Sequence, residues 1–384
     1  MKREAGFTFI EVLVAMLVMM IVAGAVYSVL NGAIHTTEGV ALLADTQENL
    51  RAGMNSVVRD LVQAGEGIPQ GGITIPNSGG ASPASALNRP LPPGSAPPTF
   101  PTSWTVLPAI SPGYLLGLPI LTPNPVRGGP TITGTPSDII NVIYADTTLV
   151  DTNGHSLNEF PIYLSPGSTG TPGCAAGNPN PFPAGSILTA GTTTITFDPT
   201  CITIGVGNTA LHAGDLIMLQ ANTGATALLT ISSVAANAIT FIGGDAFNLN
   251  ASGLSAGTIA QLQPYSSVTI TATRIWMISY YISNADPLRP QLMRQVNMNP
   301  PQAVGEVIEN FNLLYDAVVP GSTPPSVTTN IASPTIAQLP YIRDVYVALF
   351  ARSEDPFSQN GAYFRNNLVT AVSIRSLNFF NEFR

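Results

Sequence analysis

The stretch Gly6–Leu30 reads GFTFIEVLVAMLVMMIVAGAVYSVL, an apolar run with a single carboxylate, Glu11, at its edge. From Val12 to Leu30 no residue is charged. A bilayer core of about 30 Å takes about 20 apolar residues as a helix, so this run is long enough to span. Lys2 and Arg3 precede it, and apart from His35 the next basic residue is Arg51. The bias of basic residues puts the N-terminus in the cytoplasm and the rest of the chain outside.

A cleaved secretory signal has the same parts, including the small residues Ala23–Ala25 as a cleavage site. Two features speak against it. Glu11 stands where a signal is purely apolar, and the helical pattern continues past the run. Asn49–Gln63, NLRAGMNSVVRDLVQ, puts Leu50, Met54, Val57 and Leu61 on one helix face. Arg51, Asn55, Arg59 and Asp60 are expected away from that face, with Arg59 and Asp60 in solvent. No proline occurs before Pro69, so one helix is expected from about Phe7 to about Ala64, on the order of 85 Å long. Gly65 and Gly67 are its stop signals. Such a helix is a membrane anchor in its first half and an amphipathic spine in its second.

A plain single-span anchor for a periplasmic enzyme leaves Glu11 unexplained. A carboxylate near hydrocarbon costs roughly 2.5–3.5 kcal/mol, and residues bearing that cost usually have a partner. If the chain were cut after Gly6, Phe7 would carry a free amine that could reach Glu11 of a neighbouring copy displaced along the axis. The charge then sets register between packed helices, the best-attested use of a buried ion pair.

Gly6-Phe7-Thr8-Phe9-Ile10-Glu11 behind a short basic leader resembles the prepilin motif of type IV pilins and type II secretion pseudopilins. The resemblance implies cleavage after Gly6 by a prepilin peptidase, N-methylation of Phe7, and alignment of subunits by Glu11. It implies as partners the peptidase, membrane lipid before assembly, an inner-membrane assembly platform, and the major and other minor pilins through the N-terminal helix. It places the chain in the inner membrane as a single-pass protein with a periplasmic head, and later in a pilus at the cell surface. Gln47–Ala52 and Val58–Gly65 are similar to PilW-type minor pilins, although J-type pseudopilins share the Arg-Asp-Leu step. The expected divisions are a leader at 1–6, a membrane or filament-core helix at 7–30, its amphipathic extension at 31–65, a Pro/Gly-rich irregular region at 66–136 and a β-rich head at 137–384.

The 14 basic and 22 acidic residues give a net charge of −8, the wrong sign for a phosphate-binding surface, so nucleic acid is excluded as a partner. With 35 glycines and 34 prolines, long loops are expected. One runs from Glu66 to Pro136 as a surface excursion with at most short strands. Pro166–Pro183 and Pro320–Pro334 read as further loops. Strands are expected in Ser137–Asp146, Ala213–Gln220, Arg274–Ser283 with Gln291–Val296 as its hairpin partner, Asp344–Ser353 and Asn367–Ser376. The fold class is therefore α+β: a long N-terminal helix packed on an antiparallel β-rich head. The order of these elements is also similar to PilW-type chains.

Cys174 and Cys201 are the only cysteines. In an oxidising compartment they could form a disulfide worth roughly 3 kcal/mol; two unpaired residues are the alternative. The histidines are His35, His155 and His212, and no pair has the spacing of a helical metal site. There is no phosphate loop. Asp151, Glu159, Asp198, Asp215 and Asp245 are isolated acids that read as solvated loop residues. Arg274, Trp276, Tyr280 and Tyr281 read as core in preference to an aromatic binding surface. No catalytic residue, metal ligand or cofactor is expected, and the function is expected to be assembly.

Overall fold

The computed structural model describes residues 8–76, 87, 100, 104–122, 132–146, 162–163, 192–196, 211–221, 223–235, 238–251, 256–262, 269–286, 288–319, 321–322 and 326–377. Cys174 and Cys201 lie outside them, as does the Pro166–Pro183 loop.

Helix α1 (Phe9–Gln63) is unbroken over 55 residues, about 82 Å at the standard rise. It ends at Ala64, and Gly65 and Gly67 then take left-handed backbone at φ 80° and 68°. That conformation suits glycine and stops the helix as expected. The chain pairs at once with the head: Gly65 N–H donates to the Ile143 carbonyl at 2.8 Å, and Ala145 N–H donates to the Glu66 carbonyl at 2.8 Å.

Twelve strands form two main antiparallel sheets. The larger holds β1 (Ile110–Gly113), β2 (Ile139–Ala145), β3 (Ile162–Tyr163), β4 (Leu216–Ala221), β5 (Thr226–Thr230), β6 (Thr269–Ser283), β7 (Gln291–Val296) and β8 (Gln302–Glu306). Its organiser is β6, 15 residues long and rich in β-branched and aromatic side chains. The first part of β6 pairs with β4 from Ile270 to Ile275, and its end pairs with β7 from Ile278 to Ser283. β2 lies along Ile275–Tyr280. The smaller sheet has the order β10-β9-β11-β12, formed by β9 (Ile308–Val318), β10 (Val327–Ile331), β11 (Ile342–Arg352) and β12 (Arg365–Ser373). Only Val307, at φ 53°, separates β8 from β9, so the chain crosses between the sheets at one strained, β-branched residue.

The distal half of α1 lies on β11, β12, β8 and β2. Its buried residues are Thr46, Leu50, Gly53, Met54, Val57, Asp60 and Leu61, and the first apolar ones enter the same core as Ile143, Ile278, Leu292, Phe311 and Leu349. The closest approach is glycine on glycine. A Cβ placed on Gly305 of β8 would stand 3.5 Å from the Gly53 Cα and 3.4 Å from the Asn49 carbonyl of the helix.

The α+β class and the expected strands are all present, and Gln291–Val296 is the hairpin partner of Arg274–Ser283. Four readings need correction. Asp215 is not a solvated loop residue but 6% exposed, 3.7 Å from the buried Arg274 guanidinium. Asp60 is not solvated but 1% exposed, because its partners lie on β6 and β7. Arg59 remains in solvent, as read. The stretch Pro320–Pro334 is not all loop, since Val327–Ile331 adds β10 to the sheet edge; its β-branched residues outweigh the flanking prolines. Among the described residues of Glu66–Pro136 the strands are short, but Ile73, Leu87, Phe100, Trp104 and Leu107 are core residues. Proline and glycine limit ladders there without stopping single apolar side chains from anchoring the chain.

Candidate functional site: the N-terminal helix and its seat

Gly6 and Phe7 lie outside the described residues; Thr8 and Glu11 can be followed. Thr8 has extended backbone and is the N-cap of α1. Glu11 Oε2 accepts from Thr8 N–H at 2.9 Å and from Thr8 Oγ1 at 2.9 Å, and Glu11 N–H donates to Thr8 Oγ1 at 3.4 Å. This is a reciprocal capping box. It supplies a local partner for the carboxylate in addition to any offered by another subunit. The Thr-x-x-Glu spacing ahead of an apolar run is the sequence signal of this cap.

Among the described residues nothing packs on the apolar half of α1 beyond Glu11. Met16, Met19, Met20 and Ile21 are all more than 60% exposed. The helix is long and apolar enough to cross a membrane, and burial in lipid or against other helices is what this surface lacks.

The distal half is seated by a buried polar network. Asp60 Oδ2 accepts from Tyr280 Oη at 2.5 Å and from Arg294 Nε at 2.6 Å, and Arg294 Nη2 donates to Oδ1 at 3.2 Å. Tyr144 Oη reaches Oδ1 at 3.5 Å, and the Ser56 carbonyl lies 2.8 Å from Tyr280 Oη as a second acceptor for its one proton. Burial and the Asp60 charge push the Tyr144 hydroxyl up to about 12 and raise Tyr280 as well. Burial opposes the Arg294 cation, but the hydrogen bonds and charge of Asp60 outweigh it and raise its pKa. The helix is thus keyed to β6 and β7 by a two-point ion pair whose direction is fixed.

A second contact lies where the helix leaves its apolar run. The loop after β11 reaches down to α1. Ser358 N–H donates to Glu38 Oε1 at 3.0 Å, and the Ser358 hydroxyl donates to Glu38 Oε2. His35 Nδ1 lies 3.0 Å from Ser358 Oγ. Because the serine proton goes to Glu38, Nδ1 carries the proton of that second bond. The Ser358 hydroxyl holds the Glu38 carboxyl below its ordinary range. The His35 and Phe357 rings meet edge-on at 5.9 Å.

The other sequence candidates do not converge. Arg274 is buried, ion-paired with Asp146, 3.7 Å from Asp215 and stacked on Trp276. Tyr280 and Tyr281 are buried in the core, as read. Asp245 braces a turn, accepting from Thr230 Oγ1 at 2.6 Å and from the Asn250 amide at 2.8 Å. Asp151, His155, Glu159 and Asp198 lie outside the described residues. Among the described residues no three metal-capable side chains cluster.

Residues 1–27 match the family model described as the prokaryotic N-terminal methylation motif. No curated protein and no solved structure matches the chain. The motif on an exposed apolar helix supports a membrane-anchored, type IV pilin-like protein, processed by prepilin peptidase and taking part in pilus or pseudopilus assembly.

Proposed function

We propose that the chain is a minor pilin of the PilW type, acting in the complex that primes a type IV pilus and stays near its tip. The observation that carries this reading is the methylation motif at the start of one unbroken helix, whose proximal half is bare and whose distal half is locked into a large β-rich head. On this reading the peptidase cuts between Gly6 and Phe7 and methylates Phe7. The span sits in the inner membrane with the head in the periplasm. Assembly then moves the apolar half from lipid into a bundle of other pilins' helices, so its burial is never lost to water. The Thr8 donors engage Oε2 of Glu11, and the proposal assigns Oε1 to the Phe7 amine of a neighbouring subunit. The protein acts by assembly and not by catalysis.

A J-type pseudopilin of type II secretion shares the Arg59-Asp60-Leu61 step and is the second reading. A strain lacking the gene separates the two. Lost surface filaments with normal exoprotein secretion is the expected result; normal filaments with blocked secretion would move the protein to the secretion machine. In the complemented strain, Glu11→Ala is expected to be cut normally, with Phe7 as the new N-terminus, yet to be about tenfold depleted from sheared filaments, the size of effect that loss of one ion pair worth about 1.4 kcal/mol produces. Equal incorporation of parent and variant would remove the role given to Glu11.

A further inference from the structure

The head grips α1 at two places of different character. From Thr46 to Leu61 the grip is apolar, ion-paired and buried. At His35–Gly39 it is polar and lies at the surface, with the His35 and Glu38 side chains 24% and 30% exposed. Between them Val40 and Leu43 are 63% and 41% exposed, so nothing buried joins the two grips. Hydrogen bonds at the surface open far more readily than buried ones.

The loop side of the upper contact is stiff. Ser353 N–H donates to the Phe364 carbonyl at 2.7 Å, and Phe357 N–H donates to the Ala362 carbonyl at 2.8 Å. Arg352, 1% exposed, donates to the Leu288 carbonyl at 2.6 Å and stacks over Tyr363 at 4.7 Å. The Phe357 and Phe364 rings pack edge-on at 5.3 Å, and both face Gly39, where a Cβ would lie 3.6 Å from Phe364 and 3.7 Å from Phe357. The helix side has a reason to give. Thr36, Thr37 and Thr46 donate their hydroxyls back to the carbonyls of Gly32, Ala33 and Leu42, a contact that bends helices.

We propose that Ser358, seated between His35 and Glu38, is a releasable clasp that sets the angle between the head and the emerging helix, and that on release α1 splays from the loop with its bend near Leu42–Thr46. The clasp lies five to nine residues past Leu30, within about 14 Å along the axis. Its state therefore fixes how the head is carried over whatever surface the apolar half occupies. Closed, it covers Gly39 with two phenyl rings; open, it bares that facet beside the exposed Ile34 and Val40.

Amide exchange on the full chain in detergent micelles tests this. In the parent, the Ser358 amide is expected to exchange at least about tenfold faster than that of Leu61, through local opening independent of added urea. Glu38→Ala should speed Ser358 a further fivefold or more, on the order of one lost surface hydrogen bond, and leave Val57 and Leu61 unchanged. Glu38→Gln keeps an acceptor and should stay within about twofold of the parent. Three results would overturn the proposal: Ser358 exchanging at the Leu61 rate in the parent, Ser358 unaffected by Glu38→Ala, or Glu38→Ala loosening the Leu61 seat as well.

Discussion

Asp60→Ala is expected to cost about 3 kcal/mol of head stability, the lower end of what removing one partner of a buried ion pair costs. The lower end applies because the Arg294 side chain is 17% exposed and retains some water, whereas Asp60 is 1% exposed. The loss is mainly that of stranding a cation: Arg294 gives up both of its bonds to the carboxylate, while the Tyr280 hydroxyl can turn its proton to the Ser56 carbonyl 2.8 Å away. A second change distinguishes this account from simple loss of packing. Arg294→Met in the Asp60→Ala background removes the stranded charge and should recover more than half of the loss, since apolar replacement of a whole buried pair is often neutral. Urea unfolding of the full chain in detergent, followed by fluorescence of Trp104 and Trp276, measures both. A single-variant cost below about 1 kcal/mol, the range of surface pairs, would show that the network is not the key described above.

Gly305→Val is expected to cost about 2 kcal/mol through overpacking. The new Cβ would meet Ile308 Cγ1 at 3.1 Å, the Asn49 carbonyl at 3.4 Å and the Gly53 Cα at 3.5 Å. Two of these three are helix backbone and cannot swing aside, so α1 as a whole must lift from β8. Gly53→Ala should be milder by comparison. Its Cβ meets the ends of the Leu292 and Leu349 side chains at 3.2 and 3.4 Å, which can adjust, and alanine favours the helix by roughly 1 kcal/mol over glycine. The same urea titration decides, and it should rank Gly305→Val well below Gly53→Ala. The reverse order would mean that the strand yields more easily than the helix.

Local patterns carried most of the architecture. The absence of proline before Pro69 and the two glycines after Ala64 bounded α1 to within two residues. Alternating and continuous apolar runs located β2, β4, β6, β7, β11 and β12. Gly305–Val318, which contains β9, has a mixed NFNLLYD pattern that shows its alternation only once paired with β11. What sequence could not reveal was long-range pairing. Asp60 lies next to Arg59 and looks equally polar, yet Tyr280 and Arg294 are more than two hundred residues away and turn one of the two inward. Ser358 is likewise ordinary in its own loop and acquires a role only when β11 and β12 bring it to His35 and Glu38. The Thr8–Glu11 box was the opposite case, a local signal four residues long.

Since α1 runs without interruption from the capping box to its stop at Ala64, the number of residues between its ends is also an angle. Each residue turns the helix by 100° and advances it about 1.5 Å. With the Ser358 clasp closed, the direction in which the Asp60 key points is therefore tied to the direction in which Glu11 points, through a shaft with no break to absorb an error. One residue inserted after Leu30 would leave every contact in the head intact and every apolar side chain in place. It would still turn the head by more than a quarter circle relative to the end that docks. The chain stores its orientation as a residue count, and α1 behaves as a crankshaft with a fixed phase.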